Sequence, residues 1–353
     1  MTIKDILHKE NNNLDLIRIL LASLVIVGHS KFLNGAGDFW IDPISHFFDY
    51  TYSGAIAVKL FFFISGLVIT NSYIIKNSAS YFIISRVFRL IPALLFVLLI
   101  TVFGFGPVLT NLTTFNYISN INTYHYILNN ILFSTQYDLP GIFQYNLFAN
   151  AVNGSLWSLR YEIGCYIALL CMFLILGRRN KYYLNIPIAL VIIDTTLPNR
   201  FIFNFLGNNP EIYLLPLPFA LGCLYAINKE IIKINSFLIL ISILFYVIFK
   251  NTYLNEILLV FTCCNILLYV CSNNYVLKLK PKYDISYGIY LWGFLVQQTL
   301  YYYFGHIHIG LHCILALIIS MMLGLITNLI IEKPFIIIGK SIHEYYKNKT
   351  TFN

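Results

Sequence analysis

Leu14-Asp-Leu-Ile-Arg18-Ile-Leu-Leu-Ala-Ser-Leu-Val-Ile-Val-Gly-His29 is apolar for most of its length, yet it carries an arginine and a histidine eleven residues apart. The stretch from Leu14 to Leu33 has the length of a membrane-crossing helix, since about 20 apolar residues span the hydrocarbon core at 1.5 Å each. Eleven residues are close to three turns, so Arg18 and His29 project from one face. Ionisable groups at membrane depth cost roughly 2.5 to 3.5 kcal/mol each, so they usually face a protein interior or a wet cavity and mark a site. The plainer alternative has Arg18 snorkelling to one interface and His29 among the headgroups at the other. The arginine also interrupts the apolar run, and no convincing small-x-small cleavage site follows. The span is therefore expected to be retained and not removed as a signal peptide.

Composition extends this reading to the whole chain. Hydrophobic residues make up 58% and charged residues 11%, against roughly 25% charged in soluble domains. The expectation is an all-α, polytopic integral membrane protein with about ten transmembrane helices, near 13–33, 52–75, 87–104, 154–176, 184–199, 211–227, 235–249, 254–271, 285–303 and 312–331. The fifth and seventh are short enough to be tilted or re-entrant. Residues 1–335 form one membrane domain, followed by a short polar tail at 336–353. All seven cysteines lie in apolar spans, where free cysteine behaves as a small hydrophobe, so no structural disulfide is expected.

The net charge of +8 reads as topology. Seventeen of the 23 lysines and arginines fall in six places: Lys4 and Lys9, Lys76 to Arg89, Arg178 to Lys181, Lys229 and Lys233, Lys278 to Lys282, and the tail from Lys333. Ten spans put all six on one side, which the positive-inside rule makes the cytoplasm, with both termini there. The longest loop on the opposite face, 105–153, has no lysine or arginine and a single acid, Asp138. A nucleic-acid partner is not expected, because no basic cluster is backed by a soluble fold.

Further groups bear on chemistry. The second span carries Phe61-Phe-Phe-Ile-Ser65-Gly66, whose small residues would let helices approach closely. It leads to Arg86-Val-Phe-Arg89. Arg86 and Arg89 share one helix face at the cytoplasmic mouth, where two guanidinium forks could hold the phosphates of a large anion or act simply as topological anchors. The fourth span opens with Asn153-Gly-Ser-Leu-Trp-Ser-Leu-Arg-Tyr-Glu162. Glu162 lies about two turns in, roughly 12 Å from the outer end, at a depth similar to that of His29. A carboxylate meeting an imidazole there would raise its basicity and fix its tautomer, as a general base needs; Glu162 could equally pair with Arg160 or Arg18. His306, His308 and His312 lie in or beside a short loop without a nearby acid, so no metal is expected. Asp194 either lines an outer pocket or caps a helix.

Together these residues resemble the acyltransferase-3 family of membrane-bound acyltransferases, which includes bacterial polysaccharide O-acetyltransferases. The matches are Arg18 and His29 at the family's arginine-ten-histidine spacing, Phe61 to Gly66 for its Ser-Gly motif, Arg86 and Arg89 for its paired arginines, and Ser155-Leu-Trp-Ser-Leu-Arg-Tyr-Glu162 for its Ser-Leu-Trp-Ser-Leu-x-x-Glu segment. Ser286-Tyr-Gly-Ile-Tyr-Leu-Trp292 and Ile331-Glu-Lys-Pro-Phe335 match its last two spans. Six motifs keep their order over residues 14–335. The chain departs from the pattern at Gly293, where many members have a histidine, and at Leu295, where many have proline.

The resemblance implies transfer of an acyl group, usually acetyl, from cytoplasmic acyl-CoA to a hydroxyl of a cell-surface polysaccharide or its lipid-linked precursor, in the inner membrane of a bacterium. It implies His29 as general base and Glu162 as its orienter, with Arg18, Arg86, Arg89 and Ser65 on the side of the acetyl-CoA donor. Direct transfer and an acetyl-histidine intermediate are both open. A second reading, a carrier or flippase for lipid-linked glycans, would favour two halves with matching broken helices, and no such repeat is present in the sequence. The oligomeric state leaves no signal.

Overall fold

The apolar stretches fold as helices, and no strand occurs among the described residues. The computed structural model describes residues 1–35, 42–177 and 180–351, with backbone alone at 346 and 348–351. In chain order the longer helices are α1 (Leu14–Asn34), α2 (Ser53–Lys76), α3 (Ala79–Leu99), α4 (Ile121–Ile131), α5 (Leu159–Met172) and α6 (Asn185–Thr196). They are followed by α7 (Pro216–Ile227), α8 (Ser236–Phe249), α9 (Asn255–Cys271), α10 (Ser286–Phe304), α11 (Ile309–Thr327) and α12 (Lys333–Thr351).

Among the described residues, six helical stretches are long and apolar enough to cross a bilayer: Leu14–Asn34, Ser53–Lys76, Ala79–Leu109, Gly154–Gly177, Pro210–Ile227 and Ile309–Tyr345. The other four expected spans are also helical. Three of them are shorter, with 12 residues in α6, 14 in α8 and 17 in α9. The fourth, α10, has 19 residues and carries Gln297 and Gln298 in its interior. Two of the basic positions counted for topology, Arg178 and Arg179, lie outside the described residues.

Two helices run further than the sequence suggests. Beyond α3 the chain passes through a π-helical turn, Ile100–Phe105, into Gly106–Leu109, and beyond α11 it passes through Asn328–Glu332 into α12. Pro107 and Pro334 each follow such a turn. A widened turn carries the helix past a residue that lacks an N–H and whose ring would otherwise meet the carbonyl four residues back. The segment 105–153 is itself partly helical, through Thr114–Ser119 and α4.

The chain forms two compact units. The first comprises Met1–Leu21, Phe47–Ala79 and Tyr161–Lys282. Its centre is a seam between α2 and α7, built on two glycines. A Cβ on Gly66 would lie 2.1 Å from the Phe219 carbonyl oxygen, and one on Gly222 would lie 2.2 Å from that of Phe63. Backbones this close leave no room for a larger residue, so Ser65 next to the seam has a fixed place. The N-terminal tail is tied to the same unit: Ile3 donates to Ile232 O at 3.0 Å, and Asn13 Nδ2 donates to Val276 O at 2.7 Å. Asn13 Oδ1 also accepts from Leu16 N at 3.2 Å, which caps the start of α1. The outer faces of α8 are apolar and open, with Phe237 67% and Leu240 65% exposed, as lipid contact requires.

The second unit comprises Ala22–His46, Ser80–Arg160 and Tyr283–Asn353. Here α10 packs on α11, and Trp292 Nε1 donates to Thr327 Oγ1 at 2.9 Å. The turn of 3-10 helix Gly154–Ser158 also sits on α10. Asn153 Nδ2 donates to Leu291 O at 2.8 Å, Tyr290 Oη lies 2.8 Å from Ser158 Oγ, and the same phenol donates to Ser155 O. Ser-Leu-Trp-Ser and Ser-Tyr-Gly-Ile-Tyr-Leu-Trp, which stand far apart in the chain, are thus hydrogen-bonded to each other.

Candidate active site

α1 is one unbroken helix that carries Arg18 in the first unit and His29 in the second. Arg18 Nη1 lies 3.6 Å from Asp15 Oδ1, one turn back and half-buried, so this guanidinium is positioned by its own helix. His29 meets the edge of the Phe294 ring, with centroids 5.5 Å apart and planes at 79°. Phe148 closes on Phe294 in the same T-shaped manner at 6.0 Å. The imidazole is partly exposed and held by aromatic packing.

Glu162 lies on α5 in the first unit. Its Oε1 accepts from Ser65 Oγ at 3.0 Å and from the phenol of Tyr166, one turn further along α5. Two motifs 97 residues apart therefore join at a single carboxylate. Glu162 and His29 fall in different units.

The two arginines of Arg86-Val-Phe-Arg89 are used differently. Arg86 Nε lies 3.4 Å from Ser85 Oγ, a weak contact. Arg89 Nη2 pairs with Asp284 Oδ2 at 2.9 Å, and its Nη1 lies 3.5 Å from Glu332 Oε2, a side chain with no solvent exposure. Asp284 also accepts from Ser286 Oγ at 2.6 Å at the start of α10, and its carbonyl accepts from Asn328 Nδ2 at 2.8 Å. One guanidinium thus joins α3, the entry to α10 and the π-helical turn before α12.

Other polar residues resolve into local roles. Asp194 accepts from the backbone of the following loop, at 2.7 Å from Phe201 N, 3.0 Å from Ile202 N and 3.0 Å from Phe203 N. It organises a loop rather than capping a helix. His306 Nδ1 lies 2.8 Å from Asn34 O, His308 Nδ1 accepts from Gly310 N at 3.2 Å, and His312 Nε2 lies 3.1 Å from Gln297 O. Each imidazole has its own backbone partner. No group of three or more potential metal ligands occurs among the described residues.

The sequence assigned no role to Tyr166, Asp284, Glu332 or the pair Lys59 and Glu256. Lys59 Nζ donates to Glu256 Oε1 inside the first unit, with the lysine side chain 1% exposed. The signal was available for most of these, because each is an ionisable group inside or at the edge of an apolar stretch. What the sequence lacks is the partner: Lys59 and Glu256 stand 197 residues apart.

The sequence pattern of the acyltransferase domain family matches residues 11–332, nearly the whole chain. The chain belongs to this family. This acyltransferase is similar to an O-acetyl transferase of Shigella phage Sf6, with 26% identity over 341 residues, covering 94% of this chain and 97% of that one. A shorter likeness, 38% over 87 residues, links it to nodulation protein 10 of Rhizobium leguminosarum bv. viciae and covers 24% of this chain and 22% of the relative. No solved structure matches it. The acyltransferase therefore acts on groups other than aminoacyl groups, and its apolar helices make it a multi-pass membrane protein.

Proposed function

We propose that this acyltransferase is an O-acetyltransferase of the bacterial inner membrane, moving acetyl from cytoplasmic acetyl-CoA to a hydroxyl of a cell-surface polysaccharide, such as an O-antigen, or of its lipid-linked precursor. The observation that carries the reading is the likeness to the phage O-acetyl transferase along nearly the whole of both chains. His29 takes the proton of the acceptor hydroxyl, and the resulting alkoxide attacks the thioester carbonyl. The tetrahedral intermediate expels the CoA thiolate, which recovers the proton from the imidazolium. Glu162 is the residue proposed to orient that base, and Ser65 and Tyr166 hold its carboxylate. Arg18 and His29 stand about 16 Å apart along α1 at 1.5 Å per residue. An extended CoA with its phosphates toward Arg18, Arg86 and Arg89 and its thioester toward His29 fits that span. The test is direct: purified protein given acetyl-CoA and the lipid-linked oligosaccharide fraction of bacterial membranes forms an acetyl ester. A protein that moves the glycan and forms no ester is a carrier.

Arg86 is the arginine on which to test the donor side. Arg89→Ala would strand the unexposed Glu332 without its cation, so a loss of function there would mix folding with binding. Arg86→Ala is expected to weaken acetyl-CoA binding about 10- to 100-fold, the equivalent of a charge-assisted contact of roughly 1.5 to 3 kcal/mol. Arg86→Lys should recover part of it. Calorimetry in detergent reads both, and unchanged affinity in Arg86→Ala assigns this residue to topology alone.

The reading also carries a topology of about ten spans, with residues 1–335 as the membrane domain, 336–353 as a cytoplasmic tail, and both termini in the cytoplasm. Reporter fusions after residue 353 and within 105–153 are expected to report opposite sides of the membrane. The same side for both would remove the depth argument that sets His29 and Glu162 in the outer half.

A further inference from the structure

In the second unit, α10 holds the part of α1 that carries His29 through three residues on one face, Gly293, Phe294 and Gln297. A Cβ on Gly293 would lie 2.8 Å from Ile26 Cγ1, so α1 rests against bare backbone there. One position on, Phe294 meets the His29 ring. One turn on from Gly293, Gln297 Nε2 donates both to the Ile26 carbonyl and to Ser30 Oγ, each at 2.9 Å. Ser30 Oγ in turn donates to the Ile26 carbonyl at 2.9 Å. Gln297, Ser30 and His312 have no solvent exposure. His312 Nε2 lies 3.1 Å from the Gln297 carbonyl, which can only accept, so this nitrogen carries the proton and α11 braces the donor helix.

An apolar side chain of glutamine's size would fill the same space at no dehydration cost. What the amide adds is direction. Ile26, His29 and Ser30 lie within about 100° of arc on α1, so a fork that grips the first and the third sets the rotation at which the second projects.

We propose that Gln297 is a positioning residue for His29: its amide fixes the rotation of α1 and so aims the imidazole. The proposal rests on the reading of His29 as general base. A side-chain tip about 5 Å from the helix axis moves by almost 2 Å when the helix turns by about 20°. A misplacement of about 1 Å is enough to cost about 100-fold in rate.

The experiment uses the full-length protein in detergent with acetyl-CoA and the lipid-linked oligosaccharide fraction. Gln297→Leu is expected to lower kcat about 100-fold and to leave the acetyl-CoA dissociation constant unchanged. In a His29→Ala background the same change should cause no further loss, because nothing remains to be aimed. A structural role would instead lower both backgrounds alike. Equal loss in both backgrounds, or an unchanged kcat in Gln297→Leu beside a crippled His29→Ala, overturns the positioning role and leaves the general base standing. A fully active His29→Ala overturns the general base itself. Should Gln297→Leu not accumulate, Ser30→Ala removes one prong of the fork and should lower kcat about 5- to 10-fold with the same dependence on His29. An unchanged kcat there overturns the proposal.

Discussion

In His29→Ala, acetyl-ester formation is expected to fall by about 100- to 10,000-fold, the range a general base contributes, while acetyl-CoA still binds. The imidazole is partly exposed and meets Phe294 in a T-shaped contact, so its removal leaves the packing between α1 and α10 at Gly293 and Gln297 in place. Loss of turnover would then report chemistry rather than unfolding. Glu162→Gln should fall in the same direction. The amide keeps an oxygen to accept from Ser65 Oγ and Tyr166, so the substitution removes charge and preserves the scaffold. The double variant should be little worse than either single one, since residues acting as a unit lose most of their effect with the first change. Wild-type turnover in His29→Ala, measured as ester formed per mole of protein, sinks the mechanism.

A comparably large effect on stability is expected at Lys59. Its ammonium is 1% exposed and pairs with Glu256 inside an otherwise apolar unit. Breaking a buried pair by removing one partner costs roughly 3 to 5 kcal/mol, because the survivor keeps its charge with nothing to compensate it. Lys59→Met should therefore lower the unfolding midpoint in detergent sharply. Lys59→Met with Glu256→Leu should regain most of the loss, since well-packed apolar residues often replace a buried ion pair at little cost. If Lys59→Met alone unfolds at the wild-type midpoint, the pair contributes nothing to the folded state.

What was legible in the sequence was local. The apolar run from Leu14 needs only its own periodicity to read as a helix, and Asn13 just before it supplies the cap. The spacing of Arg18 and His29 implied one helix, and both lie on α1. The helical stretches begun by α3 and α11 run past the expected spans, because π-helical turns carry the backbone past Pro107 and Pro334, and a π-helical turn has no signature in the apolar pattern. Partners were the larger gap. Ser65 reaches Glu162 across 97 residues and Arg89 reaches Asp284 across 195, and nothing in either stretch announces the other. The paired arginines looked alike in sequence, yet one of them is committed to two carboxylates.

The contact between Ile26 and Gly293 has a bearing on how relatives of this chain differ. With 2.8 Å between the isoleucine and the place a side chain would begin, the bulk allowed at one position is set by the bulk present at the other. The two positions are sterically coupled. A histidine introduced at Gly293, where many members of the family have one, would need volume given up at Ile26 opposite it on the first helix. Grafting the first helix of one such protein onto another therefore succeeds only when both positions travel together.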